Sequence, residues 1–260
     1  MDMSPLEQWN SIDKFTDSFS CYNCAFLDIL GYKNKATDYF DQRFNLYGRI
    51  ERALETASLA QRLTAAFLDT SGLTIEIVSD SIIILQPAQK NGLGAILPFA
   101  CHFASLLSYE GLFIRGGIAQ GRHIRKKTKE GFNFLASEAL QKAYLLESEK
   151  AINPRVLIDK DLIALLTPEE RRLVIQENSD FILHFSHHVI NREGTNASDV
   201  LAEMRVLQSE MNRHGTEKIK LKYLWLLDYY YWTIEQNPNW SAEAFRSFSS
   251  GMNRHFSELV

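Results

Sequence analysis

The stretch that decides the fold is Tyr22-Asn23-Cys24-Ala25-Phe26-Leu27-Asp28, followed at once by Ile29-Leu30-Gly31. Its apolar run reads as a short, mostly buried strand ending in a carboxylate, with Gly31 where the chain must turn. Outward from it, residues 33–69 place Phe40, Phe44, Tyr47, Ile50 and Leu54 at helical spacing, and Ser71-Gly72 ends that helix. Residues 73–78 and 81–85 are β-branched runs separated by Ser79-Asp80, a hairpin with Asp80 at its tip, closed by Pro87. A second helix fits residues 93–109, a strand 112–118, a third helix 137–150 and a further strand 156–159 after the break at Asn153-Pro154.

This order predicts an α/β (α+β) chain with a ferredoxin-like βαββαβ core over residues 20–165. Thr167-Pro168-Glu169-Glu170 carries the marks of a capped helix start, and residues 180–185 read as one more strand. From residue 197 the chain is helical and rich in tyrosine (Tyr223, Tyr229, Tyr230, Tyr231), so residues 166–260 are expected to form a mainly α-helical C-terminal extension packed on the core.

Topology brings two acids together. In a βαβ unit the first and second strands run the same way, so Asp28 and Asp80 are expected at one edge of the sheet, on neighbouring strands. Unpaired, the two carboxylates would repel and raise each other's pKa, and divalent cations would relieve that repulsion. The plainer alternative is that Asp28 caps the turn and Asp80 is an ordinary hairpin residue.

Composition limits the function classes. The chain has 260 residues, 45% hydrophobic and 23% charged, the profile of a folded protein rather than a disordered one. Its formal net charge of −4 argues against a nucleic-acid binder held by phosphate contacts. The basic run Arg122, His123, Arg125, Lys126, Lys127, Lys129 reads as a solvated turn or arm. Three cysteines are too few for a disulfide framework, the first ten residues show no signal-peptide pattern, and residues 93–107 fall short of a membrane span. A cytoplasmic protein without membrane or nucleic-acid partners is expected.

Phe26-Leu27-Asp28-Ile29-Leu30-Gly31-Tyr32 resembles the first metal-binding motif of class III nucleotidyl cyclases. Ser79-Asp80-Ser81 is similar to their second motif, and Ile114-Arg115-Gly116-Gly117-Ile118-Ala119-Gln120-Gly121 to the strand that follows. Within that superfamily the resemblance is strongest to bacterial Pycsar cyclases, through these motifs, Ala143-Tyr144-Leu145-Leu146-Glu147, Asn153-Pro154-Arg155, and the tail segment Lys222-Tyr223-Leu224-Trp225-Leu226-Leu227-Asp228-Tyr229. Purine-specific members carry a base-reading Lys where Glu76 stands here, and a third-helix Asn and Arg where Gln141 and Leu145 stand.

The resemblance implies an enzyme that cyclises a pyrimidine nucleoside triphosphate, UTP before CTP, to make a messenger in antiphage defence. It implies two divalent metal ions, Mn²⁺ or Mg²⁺, held by Asp28, Asp80 and the carbonyl of Ile29. Arg115 joins Asp28 and Asp80 as a catalytic residue, and Gly31, Tyr32, Ser81, Arg115 and Lys142 are expected at the substrate. The transition-state donor is open between Arg115 and Lys142, and Arg115 could instead form a structural ion pair. A homodimer with its sites at the subunit interface and a separate effector protein activated by the cyclic nucleotide complete the expectation. A purine cyclase, or a catalytically degenerate nucleotide-sensing module, are the alternatives.

Other signals point to structure. Cys21 and Cys24 lie on a strand with no second ligand pair nearby, and His184, His187 and His188 read as structural or surface residues. Asn196-Ala197-Ser198 matches a glycosylation acceptor that a cytosolic chain would not use. The aromatic tail reads as a packed helical core rather than a nucleotide-stacking face.

Overall fold

The computed structural model describes residues 18–64, 70–127, 129–187, 197–213, 216–237, 242–248 and 254–259. The leader before residue 18, the predicted helix end at 65–69, His188 and Asn196 lie outside them. The chain is a mixed α/β fold on one sheet, whose nine strands among the described residues run in the order β2-β3-β1-β4-β6-β8-β7-β9, with β5 paired to β4.

Strand β1 (Ser20–Ile29) occupies the middle of the core and is buried on both faces from Asn23 to Leu27, which is why its apolar run hardly alternates. It lies antiparallel between β3 (Ser81–Pro87) and β4 (Ile114–Lys127), with Asp28 opposite Ser81 on one side and Arg115 on the other. Strand β2 (Thr74–Val78) pairs only with β3, so the first and second strands share a direction but β3 lies between them.

The predicted helix at 33–69 is instead two: α1 (Tyr32–Phe40) and α2 (Leu46–Thr64). Gln42 takes a left-handed backbone at φ 59°, and Asn45 Oδ1 accepts the Gly48 N–H at 3.1 Å, restarting the helix. Helix α3 (Ile96–Tyr109) packs against α2 on one face of the sheet. Its ten buried residues explain a run too apolar for a surface helix.

Helix α4 (Glu138–Leu145), continued by a π-helical turn (Leu146–Lys150), covers the other face. It runs over β4, where Gly117 and Gly121 admit the helix backbone: a Cβ on Gly117 would meet the Ala143 carbonyl, and one on Gly121 would lie 2.7 Å from the Ala139 nitrogen. The basic run is one arm of a hairpin with its tip: residues 122–127 complete β4, 123–127 pair with β5 (Asn133–Ser137), Lys129 lies in the turn, and Arg125 forms an ion pair with Glu76. Strand β6 (Val156–Ile158) returns parallel to β4, as a crossover through α4 requires.

The C-terminal region adds more than helices. After α5 (Pro168–Arg171), strands β7 (Val174–Glu177), β8 (Asp180–Leu183) and β9 (Phe256–Glu258) carry the same sheet onward from β6. The capping box at α5 forms as the sequence predicts: Glu170 N donates to Thr167 Oγ1 at 3.2 Å and Thr167 N to Glu170 Oε2 at 2.9 Å. Helices α6 (Ala197–Arg213) and α7 (Glu217–Glu235) pack together, and Trp225, Tyr229 and Tyr230 are fully buried in the main core. No helix among the described residues is long and apolar enough to cross a membrane.

One buried network ties α7 to the sheet. Glu177 accepts from Trp225 Nε1 at 3.0 Å and from Arg155 Nη1 at 2.7 Å, with Arg254 at 3.7 Å. Glu177→Ala would leave the buried Arg155 guanidinium with Asp180 as its one carboxylate, beside the Lys150 carbonyl. It should cost about 3 kcal/mol, read as a fall of about 6–10 °C in the thermal midpoint.

Candidate active site

Every member of the site stands at one end of β1, β3 and β4. Alternation along β1 puts Cys24, Phe26 and Asp28 on the α4 face, and the register sets Ser81 and Arg115 beside Asp28 on that same face. Asp80 occupies the β2–β3 turn, made tight by Ser79 at φ 60°, and its carbonyl accepts the Ile29 N–H at 3.1 Å. That bond locks the Asp80 turn to the end of β1.

Arg115 Nε donates to Asp28 Oδ2 at 2.9 Å, and Glu147 Oε1 lies 2.6 Å from the same nitrogen. The one Nε–H is given to Asp28, so the Glu147 oxygen, in a side chain only 4% exposed, has no hydrogen bond among the described residues. Burial is the main force pushing the Asp28 carboxyl above the usual carboxylate range. Arg115 opposes it, and Asp80, of like charge and within hydrogen-bonding reach, adds to it. Burial likewise raises Glu147 against the pull of Arg115, and Asp28 and Asp80 raise it further.

Glu147 was not among the residues expected at the site. It continues the buried stripe Ala139, Ala143 at four-residue spacing, and a carboxylate on such a stripe is the signal that marks it.

Three carboxylates against one guanidinium leave an excess of negative charge around a buried, unsatisfied oxygen. That donor set suits a hard divalent cation. Asp28 and Asp80 are the residues that would hold it, with the Ile29 carbonyl at the same strand end. Among the described residues no group of three or more His, Cys, Asp or Glu is placed to hold a metal ion together, so the pair Asp28 and Asp80 would need the Ile29 carbonyl and the substrate's own oxygens to complete a coordination sphere.

The other expected residues divide. Gly31 is exposed at φ 72°, in the left-handed turn that starts α1, and Ser81 is half-buried beside Asp28. Tyr32 hydrogen bonds to Tyr47, hydroxyl to hydroxyl at 2.8 Å, toward α2. Lys142 is not brought to the acids within this chain: its Nζ donates to the Gln120 carbonyl at 3.3 Å, five strand residues from Arg115, or about 17 Å along β4. Gln141 and Leu145 are exposed on α4.

Cys21 and Cys24, three apart on a strand, face opposite ways, one exposed and one buried, and do not share a ligand site. His184 is a core residue bonded to Tyr229 Oη at 2.9 Å.

No protein-family model matches the chain, and no curated protein matches it. Several solved structures do. The guanylyl cyclase domain of the RhoGC fusion protein from the aquatic fungus Blastocladiella emersonii is similar at 15% identity and a TM-score of 0.41, over 64% of this chain and 95% of that one. The guanylyl cyclase Cya2 is similar at 13% identity and 0.40, over 64% and 91%. The adenylyl cyclase CyaB from P. aeruginosa is similar at 14% identity and 0.39, over 64% and 92%.

Proposed function

We propose that the protein is a metal-dependent nucleotide cyclase acting on a pyrimidine nucleoside triphosphate. The observation that carries the reading is the convergence of Asp28 and Asp80, with Arg115 and the buried Glu147, at the strand end that opens into α1. Bound at Asp28, Asp80 and the Ile29 carbonyl, a pair of Mn²⁺ or Mg²⁺ ions would acidify the ribose 3′-hydroxyl and neutralise the triphosphate. The O3′–Pα bond forms as the bond from Pα to the β-phosphate oxygen breaks, pyrophosphate leaves with the electron pair, and the 3′ proton passes to solvent.

Arg115 has a defined part in this scheme. It neutralises Asp28 and Glu147 before metal arrives, and its Nη groups, without a hydrogen bond among the described residues, are left for a phosphate oxygen. Glu147 orients the guanidinium from below. Gly31 and Ser81 stand at the β1 and β3 ends, on the approach to Asp28, whereas the Tyr32 hydroxyl is turned to Tyr47.

A homodimer fits the α4 side of the sheet, where Val78, Tyr144 and Leu145 remain exposed at 61%, 48% and 41%. A second copy on that side would present its own Lys142 to these acids. UTP is favoured over CTP by the Pycsar resemblance, which also supports a cytoplasmic setting and a separate effector that reads the cyclic product in antiphage defence. The neutral Gln141 and Leu145 favour one other reading, a nucleotide sensor without turnover.

The test is a competition: all four nucleoside triphosphates together with Mn²⁺, products separated and quantified. Cyclic UMP as the dominant product is expected. A cyclic purine nucleotide would replace the substrate assignment, and no cyclic product would favour the sensor.

A further inference from the structure

From Leu30 and Gly31, the turn that follows Asp28, a cavity of about 470 Å³ opens between α1 and α7. Its floor is apolar and includes the buried Pro154 and Leu226, whereas its rim holds the exposed Gly31 and Asn34 and the half-buried Lys35, Lys222 and Asp38, the last paired with Arg43 at 2.6 Å. Lys35 is engaged, donating to the Gly111 carbonyl at 3.3 Å. Lys222 forms no hydrogen bond or ion pair among the described residues. Burial first, then Arg115 and Lys218, push its ammonium below the usual lysine range, while Asp28 and Glu147 pull it back.

Its backbone is held firmly. Trp225 and Leu226, one turn further along α7, are buried in the core, so the helix presents the Lys222 stem from a fixed place.

From the cavity, which Lys222 lines together with Leu30 and Gly31 of the turn that follows Asp28, and from the unengaged ammonium, we infer that Lys222 binds the terminal phosphates of the substrate and holds the departing pyrophosphate. The inference rests on the cyclase reading and deepens it: the C-terminal extension supplies a substrate-binding residue. A lysine suits this task, since it meets a multiply charged anion as a point charge and the metals at Asp28 and Asp80 leave the tail of the triphosphate to be matched.

The test separates this assignment from the cyclase reading by using a ligand that cannot turn over. Wild-type, Lys222→Ala and Lys222→Arg proteins are titrated calorimetrically with inorganic pyrophosphate in the presence of Mn²⁺. Lys222→Ala is expected to bind about tenfold more weakly, the low end for a charge-assisted hydrogen bond, and Lys222→Arg within about threefold of wild type. All three should share a thermal midpoint, because the side chain is half-exposed. Equal pyrophosphate affinity in wild type and Lys222→Ala, or no binding by wild type, overturns the assignment whatever the turnover assay gives. Failure of wild type to cyclise any nucleotide overturns the cyclase reading instead.

Discussion

Asp28→Asn protein is expected to lose about a thousandfold in turnover, while melting no earlier than wild type when metal is absent. The activity loss follows from removing one of the two carboxylates that would hold the cations, equivalent to about 4 kcal/mol of transition-state charge stabilisation. The stability expectation has the opposite sign, and the reason is the raised pKa. A carboxyl whose folded pKa lies above its unfolded value stabilises the fold only while protonated. That contribution is full below the unfolded pKa and is lost as pH rises through the folded one. At neutral pH ionised Asp28 therefore opposes folding, and a neutral amide of the same shape removes the cost. Mn²⁺ should reverse the ranking. At about a hundred times its dissociation constant, the ion adds about 2.7 kcal/mol to a protein that binds it, and the Asn variant forfeits that gain. Melting curves with and without Mn²⁺, beside steady-state rates, check both halves. An Asp28→Asn protein that gains as much from Mn²⁺ as wild type would remove Asp28 from the metal site.

Gly117→Ala is the second large expected effect, and it acts through packing. The added Cβ would meet the carbonyl of Ala143 and approach the Leu146 Cβ to 2.6 Å. Neither is the flexible end of a side chain, so the α4 backbone must lift from β4. Overpacking of this kind costs about 3 kcal/mol, measured as a lower urea midpoint at unchanged slope. The same displacement carries Glu147 away from Arg115, so the folded fraction should also turn over more slowly. The two variants are thus opposite in kind: one loses chemistry with its fold intact, the other loses fold and chemistry together.

What the sequence revealed was local. An apolar run ending in Asp28 and followed by Gly31, a polar pair with Asp80 between β-branched runs, and a Thr-Pro-Glu-Glu start each impose their structure within a few residues. They suffice to place one strand, a hairpin and a capped helix, and through the handedness of the crossover they bring the two acids to one edge. Features set by distant contacts were not legible. The break at Gln42 depends on a backbone conformation that its neighbours do not announce. Strand β9 is three residues long and exists because β7 offers it an edge. Glu147 stands at the spacing of Ala139 and Ala143, but that stripe has meaning only once α4 is laid on β4, and Lys222 lines the cavity beside Gly31 only because α7 packs against the core. Lys142 shows the converse, a residue expected at the substrate whose ammonium reaches the Gln120 carbonyl at mid-strand instead of the acids in this chain.

Cyclisation with release of pyrophosphate is a single reaction, and the stoichiometry of one incubation tests it. Wild-type protein with UTP and Mn²⁺ should yield 3′,5′-cyclic UMP, identified by mass and by comparison with the authentic compound, with one pyrophosphate for each molecule formed. UMP or UDP in its place, or orthophosphate instead of pyrophosphate, would contradict it.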